Sequence, residues 1–179
     1  MTVPSPEDAD RTPPPEPPEP GAAAGRIIVA GYGPVGRVVT ERLERDGLAV
    51  TIIELNLDTI ARQLALDKRV VYGDVSNPDV LTRAGIHEAS ALVLAVPDED
   101  CAVRACGVAR RMNPGIFILA RTNFLSKGML ASRAGADAVV IEEVVTAEAM
   151  QQRLFEHLRR TRPEGGPGGA EPGSATGGK

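Results

Sequence analysis

The chain has 179 residues, a formal net charge of −4 at pH 7 and 25% charged residues, which suits one domain with additional terminal segments. This weakly acidic balance argues against binding to nucleic acid or to an anionic membrane surface, because both need a basic protein surface. No apolar run approaches the roughly 18 residues of a transmembrane helix, and the N-terminus has no basic-then-apolar signal. We therefore expect a cytoplasmic protein without direct membrane insertion.

The two ends of the chain differ in composition from its middle. Residues 1–25 are rich in proline and acidic residues, and residues 162–179 are rich in glycine. Neither stretch has an apolar pattern that would bury enough surface to offset the entropy lost on ordering. We therefore expect two disordered tails that flank one folded domain at residues 26–161.

Between the tails, short apolar runs rich in β-branched residues alternate with amphipathic segments. The runs predict strands at residues 26–30, 49–54, 69–72, 91–96, 116–121 and 138–141. The amphipathic segments predict helices at residues 34–46, 57–66, 78–84, 97–112, 124–134 and 143–160. Strands and helices that alternate at this spacing form right-handed crossovers and a parallel sheet covered on both faces. The predicted fold is an α/β, Rossmann-like, doubly wound, six-stranded parallel sheet.

The first predicted strand leads directly into a glycine-rich loop. The loop consists of Gly31, Tyr32, Gly33, Pro34, Val35 and Gly36, and its glycines have G-x-G-x-x-G spacing. In a dinucleotide-binding unit the first glycine makes the tight turn, the second admits the pyrophosphate and the third packs the helix on the strand. Pro34 suits the first helical turn, where its missing N–H would have no partner. The loop therefore predicts a phosphate site at the helix N-terminus, with Tyr32 as a cover for the nucleotide.

The second predicted strand ends in an acidic residue, Glu54. This residue follows Gly36 by 18 positions, close to where the fold places an acid on the adenosine ribose. A carboxylate there accepts hydrogen bonds from both ribose hydroxyls and repels a 2′-phosphate. The sequence thus favours NAD(H) or an adenine nucleotide over NADP(H).

Two other strands also end in polar residues at the edge where open α/β sheets bind ligands. Gly73, Asp74 and Val75 follow the third strand. Asp74 either accepts from an adenine amino group, with Val75 against the ring, or only caps the next turn. Arg121 ends the fifth strand and either reaches a phosphate or pairs with a neighbouring acid. Both alternatives stay open for each of these charged residues.

Several short motifs occur together in this chain and in one order. They lie at residues 27–36, 53–54, 71–75, 81–86 and 119–121. With them the chain resembles the N-terminal domain of regulators of potassium conductance, known as the RCK or TrkA-N domain. The resemblance covers residues 26–150 and is strongest to the domains of potassium:proton antiporters.

In that family the domain binds a nucleotide and gates a membrane channel or transporter, and it is not an enzyme. The resemblance implies NAD(H) as the ligand, with ADP, AMP or ATP as alternatives. The resemblance implies that Gly31, Gly33, Gly36, Glu54, Gly73, Asp74 and Arg121 lie against this ligand. With Tyr32, Pro34, Val35 and Val75 from the loop and the turn, they make up the eleven predicted binding residues. Pro34 stands where many relatives have an arginine that meets the outer phosphates, which weakens the case for ATP.

The resemblance also implies partners. The late helix at residues 143–160 is similar to the crossover helix through which family members pair, so we expect a homodimer or a higher oligomer. Since the sequence predicts no membrane segment, the potassium channel or cation:proton antiporter subunit is expected to be a separate chain. The domain would then lie at the inner face of the membrane.

The alternative function is a small NAD-dependent oxidoreductase. Catalysis needs a positioned acid or base and a substrate pocket, and the sequence shows no spacing typical of a catalytic triad or a metal site. Cys101 and Cys106 are expected to be packing residues. A third hypothesis is that the protein is a scaffold that has lost its ligand and keeps only a dimer surface.

Overall fold

The structure is a computed structural model that describes residues 25–161, and the predicted tails lie outside these residues except for Gly25. The strands are β1 (Arg26–Ala30), β2 (Val50–Glu54), β3 (Arg69–Tyr72), β4 (Ala89–Leu94), β5 (Phe117–Thr122) and β6 (Ala138–Ile141). The helices are α1 (Pro34–Arg45), α2 (Leu57–Leu64), α3 (Pro78–Ala84), α4 (Glu99–Met112), α5 (Leu125–Ala134) and α6 (Glu142–Thr161). Strands and helices alternate strictly along the described chain. The division of the whole chain at residues 25 and 162 stays a prediction.

All six strands are parallel and lie in one sheet in the order β3-β2-β1-β4-β5-β6. This confirms the predicted doubly wound α/β fold. The strand order reverses between β1 and β4, which pair side by side although β2 and β3 separate them along the chain. A ligand crevice forms at such a switch point, beyond the carboxyl ends of the strands.

The main core lies between the sheet and the helices α3, α4 and α5. Ile28, Leu92 and Ile118 from neighbouring strands are completely buried there. Ala102, Ala105 and Ala109 recur on the buried side of α4, and their small side chains let the helix approach the sheet closely. The helices α1 and α2 pack against β1, β2 and β3.

Several element bounds differ from the predicted ones by one or two residues, and contacts with neighbouring residues explain two of these differences. The helix α4 begins at Glu99, two residues later than predicted, because the Asp98 side chain caps it by accepting from the backbone N–H groups of Asp100 and Cys101. The strand β4 ends at Leu94 rather than at residue 96, because its partner β1 ends at Ala30, opposite Leu94.

The last helix, α6, is the longest described helix and has no buried residue. It contacts β6 near its own start. Its exposed apolar side chains include Met150, Leu154, Phe155 and Leu158. Within residues 25–161, no helix has the length and apolar character needed to cross a membrane.

Candidate nucleotide-binding site

One cavity of about 640 Å³ opens at the carboxyl ends of the strands. It is lined by ten of the eleven predicted binding residues, namely Gly31, Tyr32, Gly33, Pro34, Val35, Glu54, Gly73, Asp74, Val75 and Arg121. The sequence analysis did not select Asn56, Thr59, Val96, Pro97, Asp98 and Cys101, which also line it. Its volume lies within the range of small-molecule and cofactor sites.

The three loop glycines have different structural roles. Gly31 has a φ of +89°, and a Cβ atom on it would lie 2.9 Å from the carbonyl oxygen of Ala95. A Cβ atom on Gly36 would lie 1.8 Å from the carbonyl oxygen of Gly31, so this residue supports the loop from below. A Cβ atom on Gly33 would meet no protein atom within 4 Å. The backbone therefore requires Gly31 and Gly36, whereas at Gly33 the protein leaves space free.

The helix α1 begins at this free space without a side-chain cap. Gly33 is its N-cap residue, Pro34 occupies the first turn, and the first turn contains no acidic residue. The N-terminal N–H groups of a helix have no intrahelical partners, and the helix dipole adds a partial positive charge there. Since no side chain neutralises this end of α1, it can accept a phosphate group.

Glu54 links the glycine loop to the turn after β2. Its Oε2 atom accepts a hydrogen bond of 2.7 Å from the backbone N–H of Tyr32. Its Oε1 atom accepts from the backbone N–H groups of Leu55, at 2.7 Å, and Asn56, at 2.9 Å. Each carboxylate oxygen has two lone-pair directions, so a fixed Glu54 can also accept from a ribose hydroxyl. Its ribose role stays a prediction.

Asp74 makes the turn-capping contacts that the sequence left as one alternative. Its Oδ1 atom accepts from the Ser76 backbone N–H and the Ser76 hydroxyl, both at 2.8 Å, and from the Cys101 thiol at 3.2 Å. The Ser76 backbone hydrogen bond is the main cause that lowers the pKa of Asp74 below its ordinary value. The hydrogen bonds of the described residues leave Oδ2 available to a ligand. The two alternatives are therefore compatible.

Cys101 lies at the cavity because the first turn of α4 passes beside Asp74. Burial raises the pKa of its thiol to about 11, and the nearby Asp74 carboxylate adds to the effect. Burial also raises the pKa of Cys106 to about 11. Both thiols are thus protonated at neutral pH, whereas a cysteine nucleophile acts as a thiolate. This chemistry does not favour a role for either cysteine as a nucleophile.

Arg121 makes the ion pair that the sequence left as one alternative. Its Nε atom lies 2.5 Å from Oε1 of Glu142, the first residue of α6. Its Nη2 atom donates to Oδ1 of Asn123 at 3.2 Å. Among the described residues, Arg121 supplies the only cationic side chain that lines the cavity, next to the acidic Glu54, Asp74 and Asp98. Its contact with a phosphate stays a prediction.

Tyr32 has contacts inside the protein as well as a place at the cavity. Its hydroxyl oxygen accepts a hydrogen bond of 3.2 Å from Nζ of Lys68, which precedes β3. The same Nζ atom forms an ion pair of 2.8 Å with Glu44 of α1. The ring is therefore attached to the segment before β3, and the covering role of Tyr32 stays a prediction.

Comparison with known proteins gives related sequences of channels and transporters. The chain is 28% identical over 127 residues to the putative cation/proton antiporter YbaL of Escherichia coli. These residues cover 71% of this chain and 23% of that protein. It is 28% identical over 120 residues to potassium channel protein 1 of Methanocaldococcus jannaschii, or 66% of this chain and 36% of that protein. The chain spans between 10% and 42% of the length of eight curated relatives that it matches.

Solved structures share the fold. The TrkA-N domain of E. coli YbaL superposes with a TM-score of 0.71 at 26% identity, over 74% of this chain and 98% of that one. The Kef C-terminal domain of Shewanella denitrificans in its AMP-bound form has a TM-score of 0.66 at 27% identity, over 74% and 81% of the two chains. The family model of the TrkA-N domain matches residues 27–142. The chain therefore belongs to the TrkA-N domain family.

Proposed function

We propose that this chain is a regulatory domain that binds NAD(H) or an adenine nucleotide and controls a potassium channel or cation:proton antiporter. The observation that carries the proposal is the cavity itself. It brings the open N-terminus of α1, the ribose candidate Glu54 and the turn at Asp74 to one edge of the sheet. The controlled membrane protein would be a separate chain, with this domain at the cytoplasmic face of the membrane.

The cavity offers a suitable contact to each part of an adenine nucleotide. The first-turn N–H groups of α1 would bind a phosphate, and Glu54 would accept from a ribose hydroxyl through Oε2. Asp74 would accept from the adenine amino group through Oδ2, with Val75 against the ring. An AMP-bound relative among the similar structures supports this ligand class. The assignment of these residues is our proposal for this chain.

The proposed adenosine contacts follow β2 and β3, on one side of the switch point, and the cavity also extends to the other side. Val96, Pro97 and Asp98 follow β4, and Arg121 lies near the end of β5. In a doubly wound sheet, a dinucleotide crosses the switch point and places its second nucleotide on this half. This extension favours NAD(H), whereas the adenosine of AMP or ADP would fill only the first half and leave just the phosphates near Arg121.

A panel of ligands tests the proposal on the full chain. We expect NAD⁺, NADH, ADP or AMP to raise the melting temperature, because a ligand that binds only the folded state stabilises it. NADP⁺ should stabilise the protein less than NAD⁺, because Glu54 would repel the 2′-phosphate. Thermal shift and calorimetry would measure both effects. If none of these ligands changes the melting temperature, the proposed sensor function is wrong and the scaffold hypothesis is favoured.

The same panel separates the sensor from the oxidoreductase. An enzyme would convert NADH and a carbonyl substrate, or NAD⁺ and an alcohol, which the absorbance of NADH at 340 nm reports. We expect binding without turnover. The relatives named above are channels and antiporters, which supports a regulatory function.

We further propose that two copies pair through α6. Met150, Leu154 and Leu158 repeat every four residues and form an exposed apolar stripe along one side of this helix. A second apolar surface, the sheet-face groove, is lined by Val93, Leu119 and Val140 on the strands β4, β5 and β6. No described helix of the same chain covers either surface. A second copy would cover both at once in a symmetric dimer.

One charge on the apolar stripe of α6 should abolish pairing. We expect Leu154→Glu to convert a dimer to a monomer in sedimentation equilibrium, because pairing would bury an unpaired carboxylate. Gln152→Glu adds the same charge nearly opposite on the helix, and this variant should stay dimeric. A monomeric wild-type chain, or a dimeric Leu154→Glu variant, would contradict pairing through α6.

A further inference from the structure

Arg121 lies between the nucleotide cavity and the sheet-face groove and contributes to the lining of both. Val35 and Ala95 are also shared, but neither can form an ion pair. The sheet-face groove also includes Glu142 and Val145 from the first turn of α6. A change in the partner of Arg121 would therefore act on both the cavity and the start of α6.

Two consecutive carboxylates attach the start of α6 to the rest of the domain. Glu142 pairs with Arg121, at the cavity. Glu143 accepts a hydrogen bond of 2.7 Å from the backbone N–H of Leu125, at the N-terminus of α5. The Glu143 N–H also donates to the carbonyl oxygen of Asn123 at 3.2 Å. One attachment thus depends on a cavity residue, and the other lies outside the cavity.

We propose that Glu142 competes with a ligand phosphate for Arg121, so that ligand binding detaches the first turn of α6. This inference rests on the proposed function and adds its regulation. An arginine binds a carboxylate and a phosphate with the same planar set of N–H donors, so the two anions exclude each other when they approach the same side. A phosphate that takes Arg121 leaves Glu142 without its cation.

The charges of the cavity strengthen this competition. Glu54, Asp74 and Asp98 place three carboxylates around a ligand that itself carries phosphate charge. Among the described residues that line the cavity, only Arg121 has a positively charged side chain that can offset this repulsion, in addition to the partial positive charge at the N-terminus of α1. Its side chain is 22% exposed and that of Glu142 is 43% exposed, so solvent can take over the released carboxylate. When Arg121 exchanges Glu142 for the phosphate, the released carboxylate therefore loses little free energy, and the phosphate gains a cation.

The competition couples the cavity to α6 in both directions. The ligand must break the ion pair of Arg121 with Glu142, which reduces its net free energy of binding. By linkage, an interaction that stabilises the attached position of α6 lowers the affinity for the ligand. The ligand shifts the equilibrium of α6 toward the detached position by the same factor. Since α6 carries the proposed dimer stripe, this ion pair would transmit nucleotide occupancy to the pairing of two copies.

The substitution Glu142→Gln tests the competition by removing the charge and keeping the size. We expect the full-length variant to bind ADP about fivefold more tightly than wild type, which is the upper end for a partly exposed ion pair. Glu143→Gln removes a neighbouring charge outside the cavity, but its amide oxygen can still accept from the Leu125 N–H, so α6 stays attached there and ADP affinity should be unchanged. In an Arg121→Gln background, Glu142→Gln should have no further effect, as a double-mutant cycle in calorimetry would show.

Hydrogen exchange of the first turn of α6 provides a second readout. ADP should accelerate exchange of this turn in wild type, whereas Glu142→Gln should exchange rapidly with or without ADP. The inference is overturned if wild type binds ADP and Glu142→Gln binds it no more tightly. It is also overturned if ADP slows exchange of this turn equally in both proteins. If wild type binds none of ADP, AMP and NAD⁺, the proposed function itself fails and this inference fails with it.

Discussion

Replacing Gly33 with aspartate is expected to abolish nucleotide binding while the domain remains folded. Gly33 has φ −71° and ψ −171°, which any residue adopts, and a Cβ atom there meets no protein atom within 4 Å. Aspartate is also a favourable N-cap residue, so the melting temperature should not fall. Its carboxylate would occupy the first-turn N–H groups of α1 and repel the phosphate. We expect the affinity for ADP or NAD⁺ to fall at least about 100-fold by calorimetry, or about 2.7 kcal/mol.

A matched control places the same charge at the opposite edge of the sheet. Gly115 precedes β5, and the nearest atom to a Cβ on it is Oδ1 of Asn113 at 3.8 Å. Gly115→Asp should therefore fold and bind nucleotide as wild type does. If Gly33→Asp is folded and binds ADP or NAD⁺ with wild-type affinity, the phosphate does not lie at the N-terminus of α1.

Replacing Gly36 with alanine is expected to destabilise the fold rather than only the site. The added Cβ would lie 1.8 Å from the carbonyl oxygen of Gly31, a backbone atom held by the turn after β1. The helix α1 would have to move away from β1, and overpacking of this kind costs about 3 kcal/mol. For a domain of this size we expect the melting temperature to fall by about 10 °C in a thermal unfolding experiment.

Gly107 provides the control because it is also a helical glycine. It lies inside α4, and a Cβ atom there comes no closer than 3.4 Å to the flexible end of Arg111. Gly107→Ala should stabilise the protein by about 0.5–1 kcal/mol, since alanine loses less entropy in a helix than glycine does. Equal melting temperatures for Gly36→Ala and wild type would show that α1 does not depend on this close approach.

The sequence predicted the elements well where local signals define them. The strands β1, β3 and β6 have the predicted bounds, because an apolar run and its flanking turn residues are short-range features. The strand β5 instead continues through Thr122, which pairs with Ile141 of β6. Such a boundary depends on pairing with a strand that is distant in sequence, so the residues around the boundary do not reveal it.

Of the eleven residues that the sequence predicted to bind the ligand, all but Gly36 line the cavity, and Gly36 lies beneath the loop. This was possible because parallel strands bring their carboxyl ends to one edge, so the residues after each strand become neighbours. Cys101 and Asp98 are among the lining residues that the sequence analysis missed. They belong to a capped helix start, and the proximity of Cys101 to Asp74, 27 residues apart, required the packing of α4 beside the turn after β3.

The amino-acid sequence by itself determined the fold class, the family resemblance, the glycine loop and the strand ends, because spacing and apolar patterns encode them locally. The tertiary structure decided what those patterns left open. It showed that Asp74 caps its own turn while Oδ2 remains available, and that Arg121 pairs with Glu142. It also showed that α6 buries none of its residues. These features depend on contacts between distant parts of the chain, which exist only once the sheet has brought its strands together.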